Sequence, residues 1–233
     1  MHRTEIIQAF IDRIGARVYL EIGVKRGDTF LSIRAPHKIA VDPAPRISRR
    51  SRVRSWIRNP RNLFNRYFHV ESDAFFSAPP RRLDREGLDI VFVDGLHTHE
   101  QSLRDVRNTL RYLNPGGAVL LHDCNPGSEE AASPLELFDR ARRTGSWKPD
   151  AGWSGDVWKT IVDLRATEPE LSVCVLDCDT GIGVVTRGPR PSKPCRVDPD
   201  DVAALTYSQL DAQRRELLDL RPPGDLHQLL RSL

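Results

Sequence analysis

The sequence predicts a doubly wound α/β sheet of about seven strands that ends in an antiparallel hairpin. Two successions of strand, turn and helix, at Val18–Ile33 and at Leu88–Leu121, predict the parallel part of the sheet. Near the end, the strands Leu171–Leu176 and Ile182–Thr186 are joined by five residues, too few for a parallel crossover. These two strands must pair antiparallel, an addition that a plain dinucleotide fold does not need.

The first half of the chain is predicted to begin with an amphipathic helix that Thr4 caps and Gly15 ends. Its apolar residues recur at helical spacing: Ile6, Ile7, Phe10, Ile11 and Ile14. The elements expected after it are, in order, a buried strand Val18–Ile22, a turn Gly23–Asp28, a short helix through Ile33, a strand Lys38–Val41 and a short strand Tyr67–Val70.

The middle of the chain contains the clearest strand, Leu88–Val93, a continuous apolar run that is typical of a parallel strand covered on both faces. A helix is expected from His99 onward, and Pro115–Gly117 should stop it before a strand at Ala118–Leu121. The apolar stripe of this helix consists of Leu103, Val106, Leu110 and Leu113.

Beyond the central strands the sequence predicts three more helices. Ser133–Glu136 has the form of a capping box with proline at the first helical position, and Asp156–Arg165 forms a further helix. The stretch Arg187–Pro199 contains four prolines and is interpreted as a linker. After it, Asp198–Asp201 should open one long helix through Leu218.

The length of 233 residues, with 39% hydrophobic and 29% charged residues, suits one globular domain with elaborations. We expect a domain at residues 1–188 and a linker with a helical extension at 189–233, which packs on the sheet or on a second subunit of a homodimer. No apolar stretch approaches the ~20 residues of a membrane span, and a secretory signal is lacking, so a cytoplasmic protein is expected. The four cysteines form no C-x-x-C pair and are interpreted as reduced thiols.

The net charge of +3 conceals a strong local bias. Thirty of the thirty-five cationic residues are arginine, and eight of them lie between Arg46 and Arg66. No acidic residue lies between Asp42 and Glu71. Such a segment attracts phosphate or another anion, or it is a solvated loop without a specific partner.

The residues that follow the strands are the candidates for ligand binding, because ligands of such sheets bind outside the carboxyl ends of the strands. The nicotinamide fingerprint requires glycine where this chain has Lys25 and Asp28, so NAD is disfavoured. The chain instead has an acid two residues before Gly23 and a second glycine, Gly27, four residues after it. This pattern allows a ligand to approach Gly23 and Gly27 while Glu21 accepts a hydrogen bond from an ammonium group. An ordinary strand–turn–helix is the alternative.

Acidic residues and histidines follow the other strands. Asp42 is placed to hold the hydroxyls of a ribose, and Ser72-Asp73 to border an adenine, although both positions also suit a turn. Asp94 and His122-Asp123 leave neighbouring central strands and are candidates to hold Mg²⁺, although His122 departs from an all-oxygen set. His97 is a candidate general base. For each residue alone, a helix cap or a satisfied histidine is the alternative.

The chain is similar to the class I S-adenosylmethionine (SAM)-dependent methyltransferases in two runs: YLEIGVKRGDTFL at Tyr19–Leu31 and VFVDGLHTHEQSLRDVRNTLRYLNPGGAVLLHD at Val91–Asp123. The order D-G-x-H, helix, P-G-G and H-D, with GDVWK at Gly155–Lys159, resembles the small bacterial branch related to macrocin-type sugar O-methyltransferases. The resemblance covers roughly Arg17–Gly188. It implies the Rossmann-like fold of that class, with SAM as the cofactor.

The resemblance also implies roles for individual residues. The residues implied to bind SAM are Glu21, Gly23, Val24, Gly27, Asp42, Ser72, Asp73 and Asp94. The implied catalytic residues are His97 as the base, Asp94 and His122, and the implied Mg²⁺ ligands are Asp94, His122 and Asp123. Because His122 replaces an acid of the metal-dependent relatives, it is also a candidate to share the role of base. His99 is expected to have no catalytic role.

The implied reaction is methyl transfer to a hydroxyl of a sugar or glycoside, either a small molecule or an oligosaccharide. The arginine-rich composition suggests a GC-rich actinobacterial genome, which makes a mannoside of the methylmannose polysaccharides of mycobacteria the first candidate acceptor. We expect Pro43–Arg66 and Cys124–Gly155, with Trp147 and Trp153, to cover the acceptor, and Trp158 to lie in the core.

Two other classes of function compete with this interpretation. A nucleic-acid methyltransferase would use the arginine segment 46–66 to follow phosphates, but the chain lacks a recognisable RNA-binding module. A binding module without catalysis would not need Asp94, His97 and Asp123 together.

Overall fold

The computed structural model describes residues 1–148, 152–188, 195–231 and 233. The chain forms two compact units. Unit 1 consists of Met1–Gly95, Arg104–Leu120 and Leu226–Leu233, and unit 2 of Leu96–Leu103 and Leu121–Asp225. The predicted boundary at residue 188 remains a prediction, and residues 189–194 of the expected linker lie outside the described part.

The described helices and strands alternate through most of the chain. The α-helices are α1 (Arg3–Ile14), α2 (Asp28–Ser32), α3 (Arg49–Arg58), α4 (Ser72–Ser77), α5 (Arg81–Glu86), α6 (His99–Leu110), α7 (Leu135–Thr144), α8 (Trp158–Thr167), α9 (Tyr207–Leu218) and α10 (Leu226–Arg231). The strands are β1 (Val18–Ile22), β2 (His37–Val41), β3 (Arg66–Phe68), β4 (Leu88–Val93), β5 (Leu113–Leu121), β6 (Leu171–Leu176), β7 (Ile182–Arg187) and β8 (Leu220–Arg221).

The strand order of the mixed sheet is β3-β2-β1-β4-β5-β7-β6-β8. In unit 1, β1 pairs in parallel with β2 and with β4, and β2 pairs in parallel with β3. In unit 2, β6 pairs antiparallel with β7 and parallel with β8. The predicted α/β class and the antiparallel hairpin are confirmed, and β8 adds a short strand that the sequence did not reveal.

Each unit has its own apolar core, as the sequence patterns predict. All five residues of β1 are buried, and β4 is buried at every position except Asp89. In unit 2, α8 buries Trp158 and Ile161, which confirms the core position expected for Trp158. The continuous apolar runs of β1 and β4 are thus covered on both faces, as parallel strands require.

Two predicted boundaries near the ends of elements are wrong. Helix α1 begins at Arg3, because His2 is its N-cap and the His2 backbone N–H donates to the Glu5 carboxylate, so Thr4 lies inside the helix. Strand β5 begins at Leu113 and runs through Pro115–Gly117. The backbone N–H of Leu88 donates to Tyr112 O, so strand-like pairing starts before the proline that was expected to separate helix from strand.

The predicted helix caps in the second half also need correction. Helix α7 begins where expected, but its N-cap is Pro134 and no side chain caps it. The long helix expected from Asp198 is interrupted: a 3₁₀ helix at Pro199–Ala204 ends before α9, which starts at a capping box formed by Thr206 and Gln209. That cap is a local signal for a new helix, and it separates the two segments.

The arginine-rich segment is helical instead of being an irregular loop. Ser48 caps α3, with its side chain accepting a hydrogen bond from the Ser51 backbone, and a 3₁₀ helix follows at Pro60–Phe64. All four cysteines are free, and Cys124 and Cys174 are buried, while the reduced state expected from the sequence remains a prediction. Within the described parts of the chain, no helix has the length and apolar character needed to cross a bilayer.

Candidate active site

The turn after β1 in unit 1 is shaped by a close approach of two backbone segments. Gly23 has a φ of +84°, and a Cβ built on it would lie 2.0 Å from the carbonyl oxygen of Asp94. The Gly23 N–H donates to Val41 O, and the Asp94 N–H donates to Ile22 O. The strands β2 and β4 therefore hold this turn from both sides, and only glycine fits at its first position.

Asp42 links the end of β2 to the same turn. One carboxylate oxygen accepts a hydrogen bond from the Lys25 backbone at 2.7 Å, and the other accepts from the Ala44 backbone at 2.8 Å. Lys25 has a φ of +50°, so the carboxylate stabilises an unfavourable backbone conformation. Val24 is buried beneath the turn, and Gly27 starts α2 with a φ of +80°.

Glu21 lies in β1 and is only 2% exposed. The Tyr19 hydroxyl donates to its Oε2 at 2.5 Å. Burial raises the pKa of Glu21 to about 8, because an ionised carboxylate loses its hydration there; Tyr19 and Lys38 partly offset this effect. At neutral pH the Glu21 side chain is therefore mostly a neutral carboxylic acid.

Lys38 on β2 is the cationic neighbour of Glu21. Its ammonium group donates to the backbone carbonyls of Phe30 and Ile33 and lies 4.7 Å from the centre of the Phe30 ring. Burial lowers the pKa of Lys38 to about 7, and the charge of Glu21 acts in the opposite direction. Unit 1 thus contains two coupled titrating groups beneath the glycine turn.

The remaining residues predicted for the cofactor in unit 1 have protein partners. Ser72 is buried at the start of α4 and donates to Asp105 Oδ1 at 2.5 Å. Asp73 is half exposed and forms an ion pair of 3.4 Å with Arg104. Asp94 follows β4 and pairs at 3.4 Å with Arg3 from α1.

In unit 2, two histidines converge on one buried carboxylate. The Nδ1 atoms of His97 and His122 lie 3.2 Å and 3.1 Å from the same oxygen, Oδ2 of Asp123. The other oxygen of Asp123 accepts hydrogen bonds from Thr180 Oγ1 at 2.8 Å and from Ser154 Oγ at 3.1 Å. Four polar side chains therefore surround this carboxylate within hydrogen-bonding distance.

The arrangement around His97 favours one tautomer. Its Nδ1 lies near two acceptors, Asp123 Oδ2 at 3.2 Å and the Trp153 carbonyl at 3.3 Å, which favour a proton on Nδ1. In the neutral ring the lone pair then belongs to Nε2. His97 and Asp123 both have a positive φ, of 62° and 61°, a strained backbone conformation of the kind that concentrates at functional sites.

Three aromatic side chains extend from the His97 ring. His97 stacks on Trp153 with ring centres 5.3 Å apart, and Trp153 stacks on Phe138 at 4.0 Å. Trp147 meets Phe138 edge-on at 4.8 Å. The Trp153 indole N–H donates to Ser133 O, so the polar end of the ring is satisfied and its apolar body is held in place.

Sequence reasoning named His97, His122, Asp123, Trp147 and Trp153, and it missed the side chains that complete the cluster. Those are Phe138, Ser154, Asp179 and Thr180; the last two lie 3.5 Å and 3.1 Å from His122 Nε2. The sequence offered one signal for them: the link between β6 and β7 is short and polar, but it was interpreted only as a turn.

His99 makes structural contacts within unit 2, and the expectation that it has no catalytic role remains a prediction. Its backbone N–H donates to Asp156 Oδ1 at 2.8 Å, and its ring lies 3.4 Å from Asp163. These contacts fix the start of α6 against α8 within unit 2.

Some of the side chains at these strand ends are of types that coordinate divalent cations. Asp94, His97 and Asp123 each offer one such ligand atom. His122, by contrast, directs Nδ1 toward Asp123 and Nε2 toward Thr180, as a hydrogen-bonding partner does. Each carboxylate is a ligand of the type that Mg²⁺ prefers, while the surroundings of His122 fit a role in orienting Asp123.

Comparison with known proteins finds a match to one family model and several solved structures of similar fold. Residues 20–124 match the family model described as a methyltransferase domain. The fold is similar to that of a SAH-bound Podospora anserina methyltransferase, PaMTH1 (17% identity, TM-score 0.55, covering 78% of this chain and 76% of that one). SAH is S-adenosylhomocysteine, the demethylated product of SAM.

Two bacterial O-methyltransferases have the same fold. One is from Bacillus cereus in complex with SAH (14% identity, TM-score 0.52, covering 79% of this chain and 80% of that one). The other is TomG from Streptomyces achromogenes, involved in tomaymycin synthesis and solved with SAM (14% identity, TM-score 0.53, covering 78% of both chains). The family model covers residues 20–124, and these solved structures share the fold of the chain.

Proposed function

We propose that this methyltransferase-domain protein transfers a methyl group from SAM to a hydroxyl of a sugar or glycoside, with His97 as the general base. The observation that carries the proposal is the His97–Asp123 pair, in which a buried carboxylate orients an imidazole at the end of a strand. The first candidate acceptor is a mannoside of the kind found in methylmannose polysaccharides, as the sequence resemblance implies.

The cofactor site is proposed at the turn after β1. SAM supplies an electrophilic methyl group on a sulfonium. Gly23, Val24 and Gly27 would border its methionine part, with Glu21 beneath the turn. Asp42 would accept hydrogen bonds from the ribose hydroxyls, since a carboxylate has about four acceptor sites and the turn uses two of them. Ser72, Asp73 and Asp94 complete the proposed set.

His97 is proposed to take the proton of the acceptor hydroxyl at Nε2. Asp123 keeps the opposite ring nitrogen protonated and stabilises the positive charge that the ring gains. His122, Ser154 and Thr180 hold Asp123 in place, so His122 acts through Asp123 in this account.

Metal assistance is a separate part of the proposal. Asp94 and Asp123 would hold Mg²⁺, with His122 as the third residue that the family resemblance implies. Bound Mg²⁺ would lower the pKa of the acceptor hydroxyl. Full methyl transfer in EDTA-treated protein would remove the metal from the mechanism and leave His97 as the sole activator of the hydroxyl.

The acceptor is proposed to lie against the aromatic rings of unit 2. The rings of Trp153 and Phe138 stack in parallel, and Trp147 contacts Phe138 at the end of this row of aromatic rings. The flat apolar faces of such rings suit the C–H face of a sugar. This row begins at His97, the proposed base, which is where a bound hydroxyl must be presented.

The function is tested by calorimetric titration with SAH and by a screen for transfer of labelled methyl groups from SAM to glycosides. We expect SAH to bind and at least one glycoside to be methylated by the wild type. The His97→Ala variant should bind SAH normally and lose methyl transfer, whereas the His99→Ala control should retain both. Failure of the wild type to bind SAH would contradict the methyltransferase proposal.

A further inference from the structure

The arginine-rich segment of unit 1 directs large apolar side chains into solvent. On the 3₁₀ helix, Phe64 is 74% exposed and Leu63 57% exposed; on α3, Ile57 is 81% exposed. We call the following set the apolar–arginine patch: Val53, Trp56, Ile57, Leu63 and Phe64, with Arg50, Arg54, Arg58 and Arg61, all of them exposed.

The opposite side of the same segment is polar and attached to the body of unit 1. Ser55 and Asn62 are its buried residues. The Asn62 amide donates to Leu31 O at 2.9 Å, and the Asn59 amide donates to Ile33 O at 3.3 Å. The Arg52 guanidinium lies 4.6 Å from the centre of the Tyr67 ring.

These anchors reverse the usual arrangement of a surface helix, which buries its apolar side and exposes its polar side. Val53 and Ile57 are one helical turn apart, and so are Arg50 and Arg54, so apolar and cationic side chains share the outer side of α3. A contiguous exposed apolar surface with cationic residues is typical of a binding surface.

The charge and the side-chain types of the patch can be compared with three kinds of partner: a second copy of the chain, a nucleic acid and a lipid bilayer. No acidic residue lies between Asp42 and Glu71, so two copies of the patch would repel each other in a symmetric dimer. Single-stranded nucleic acid binds through stacking of bases on aromatic rings, but the most exposed residue, Ile57, is aliphatic. A bilayer with anionic headgroups accepts both kinds of side chain, because aliphatic residues enter the acyl boundary and arginines meet phosphates.

We propose that the apolar–arginine patch binds the surface of an anionic lipid bilayer. The patch lies beside the proposed cofactor turn within unit 1, since the Arg46 backbone donates to Lys25 O at 2.7 Å and the Ile47 side chain packs against Gly27. The inference does not depend on the methyltransferase proposal, because it rests on exposure, anchoring and charge alone.

The test is co-sedimentation of the full chain with vesicles of phosphatidylcholine alone and with vesicles that also contain phosphatidylglycerol. The first variant is Ile57→Ser/Phe64→Ser, and its matched control is Leu137→Ser, a half-exposed leucine of unit 2. The second variant is Arg54→Gln/Arg58→Gln, with the exposed pair Arg140→Gln/Arg143→Gln as its control.

We expect the wild type to bind only the anionic vesicles. The apolar variant should bind at least about tenfold more weakly, and the arginine variant about fivefold more weakly for each arginine removed. Both controls should bind like the wild type. Absence of binding to anionic vesicles, or equal binding by the apolar variant, would overturn the proposal. Binding to a single-stranded RNA that persists in the apolar variant and is lost in the arginine variant would assign the patch to nucleic acid instead.

A second readout uses the unmodified patch and guards against misfolding of the variants. Brominated phosphatidylglycerol quenches the fluorescence of a tryptophan that enters the bilayer boundary. Quenching in the wild type that is lost in Trp56→Phe, a change confined to an exposed side chain, would support the proposal. Quenching that remains in Trp56→Phe would contradict it.

Discussion

Unit 1 and unit 2 each contain a buried carboxyl group near the carboxyl end of a strand, and the two groups have different hydrogen-bonding partners. Glu21 in unit 1 receives a hydrogen bond from Tyr19, and burial raises its pKa to about 8. Asp123 in unit 2 has four donors around its two oxygens. Burial removes water from both groups, and Asp123 has more hydrogen-bonding neighbours than Glu21 to take its place.

The difference shows what each region is built to do. A neutral Glu21 supports a turn whose shape is set by backbone contacts at Gly23 and Asp42. Asp123 lies where a carboxylate can orient the imidazole of His97 and stabilise its protonated form. Unit 1 therefore has the features of a rigid frame for a ligand, and unit 2 has those of a proton-transfer site.

The largest effect is expected from breaking the frame of unit 1 at Gly23. In Gly23→Ala the new Cβ would lie 2.0 Å from the Asp94 carbonyl, so the turn must move. We expect a loss of about 3 kcal/mol or more of stability and no detectable binding of SAH. Thermal unfolding and calorimetric titration measure the two effects.

The control for this change is Gly127→Ala, where a Cβ meets no atom within 4 Å. Both stability and SAH affinity should stay at the wild-type level in the control. Normal SAH binding by Gly23→Ala would show that the turn is not the cofactor site.

The next largest effect is expected from removing the charge of Asp123. In Asp123→Asn an amide replaces the oxygen that faces the two Nδ1 atoms, so the His97 ring loses its orientation and its counter-charge. Methyl transfer should fall about 10²- to 10⁴-fold while SAH affinity is unchanged. Initial rates at saturating SAM measure this change. The matched variant Asp163→Asn removes the carboxylate beside His99 and should leave the rate nearly unchanged.

A smaller effect is expected in the pH dependence of stability, to which Glu21 and Lys38 of unit 1 contribute. Glu21 has a folded pKa of about 8 and an ordinary value of 4.5, so the folded state binds more protons and stability falls as pH rises from about 4.5 to 8. Lys38 acts in the opposite sense: its folded pKa of about 7 lies below the ordinary 10.5, so stability rises between those values.

The free energy of unfolding of the wild type should therefore pass through a minimum near neutral to mildly alkaline pH. In Glu21→Gln the fall below pH 7 should shrink, by an amount on the order of a few kcal/mol, while the rise above pH 7 remains. Urea titrations at several pH values measure both the fall in the free energy of unfolding below pH 7 and its rise above pH 7. An identical fall in the wild type and in Glu21→Gln would mean that Glu21 is ionised in the folded protein.

The smallest effect is expected at the outer end of the aromatic row in unit 2. Trp147 contacts Phe138 edge-on and is partly exposed, so Trp147→Ala should raise the KM for a glycoside acceptor about three- to tenfold with kcat nearly unchanged. Trp56→Ala, in unit 1, is the control for loss of an exposed tryptophan. Equal KM values in the two variants would remove Trp147 from the acceptor site.

The fold was largely predictable from the sequence because its main signals are local. The apolar runs of β1, β4 and β6 define strands by themselves, and the five-residue link before β7 permits only antiparallel pairing. The helix α3 was missed because nearby prolines and a dense positive charge favoured a loop, whereas the cap by Ser48 and the polar anchors stabilise a helix.

The site was predictable only in part, for a physical reason. His97, His122 and Asp123 follow strands of the sheet, so a rule about strand ends finds them. Ser154 and Thr180 contact Asp123 from positions 31 and 57 residues further along the chain, and no local pattern specifies such contacts. The state of Glu21 was also hidden, because it depends on burial and not on the neighbouring sequence.

The central claim is that Asp123 orients His97 as the base of an O-methyl transfer. The most direct measurement is the single-turnover rate of methyl transfer from SAM to a glycoside acceptor as a function of pH, for the wild type and for His97→Ala, both saturated with SAM. The account predicts a wild-type rate that rises with deprotonation of one group and a variant that is slower by about 10²-fold or more and lacks that rise. A variant that retains the wild-type rate and pH profile would contradict it.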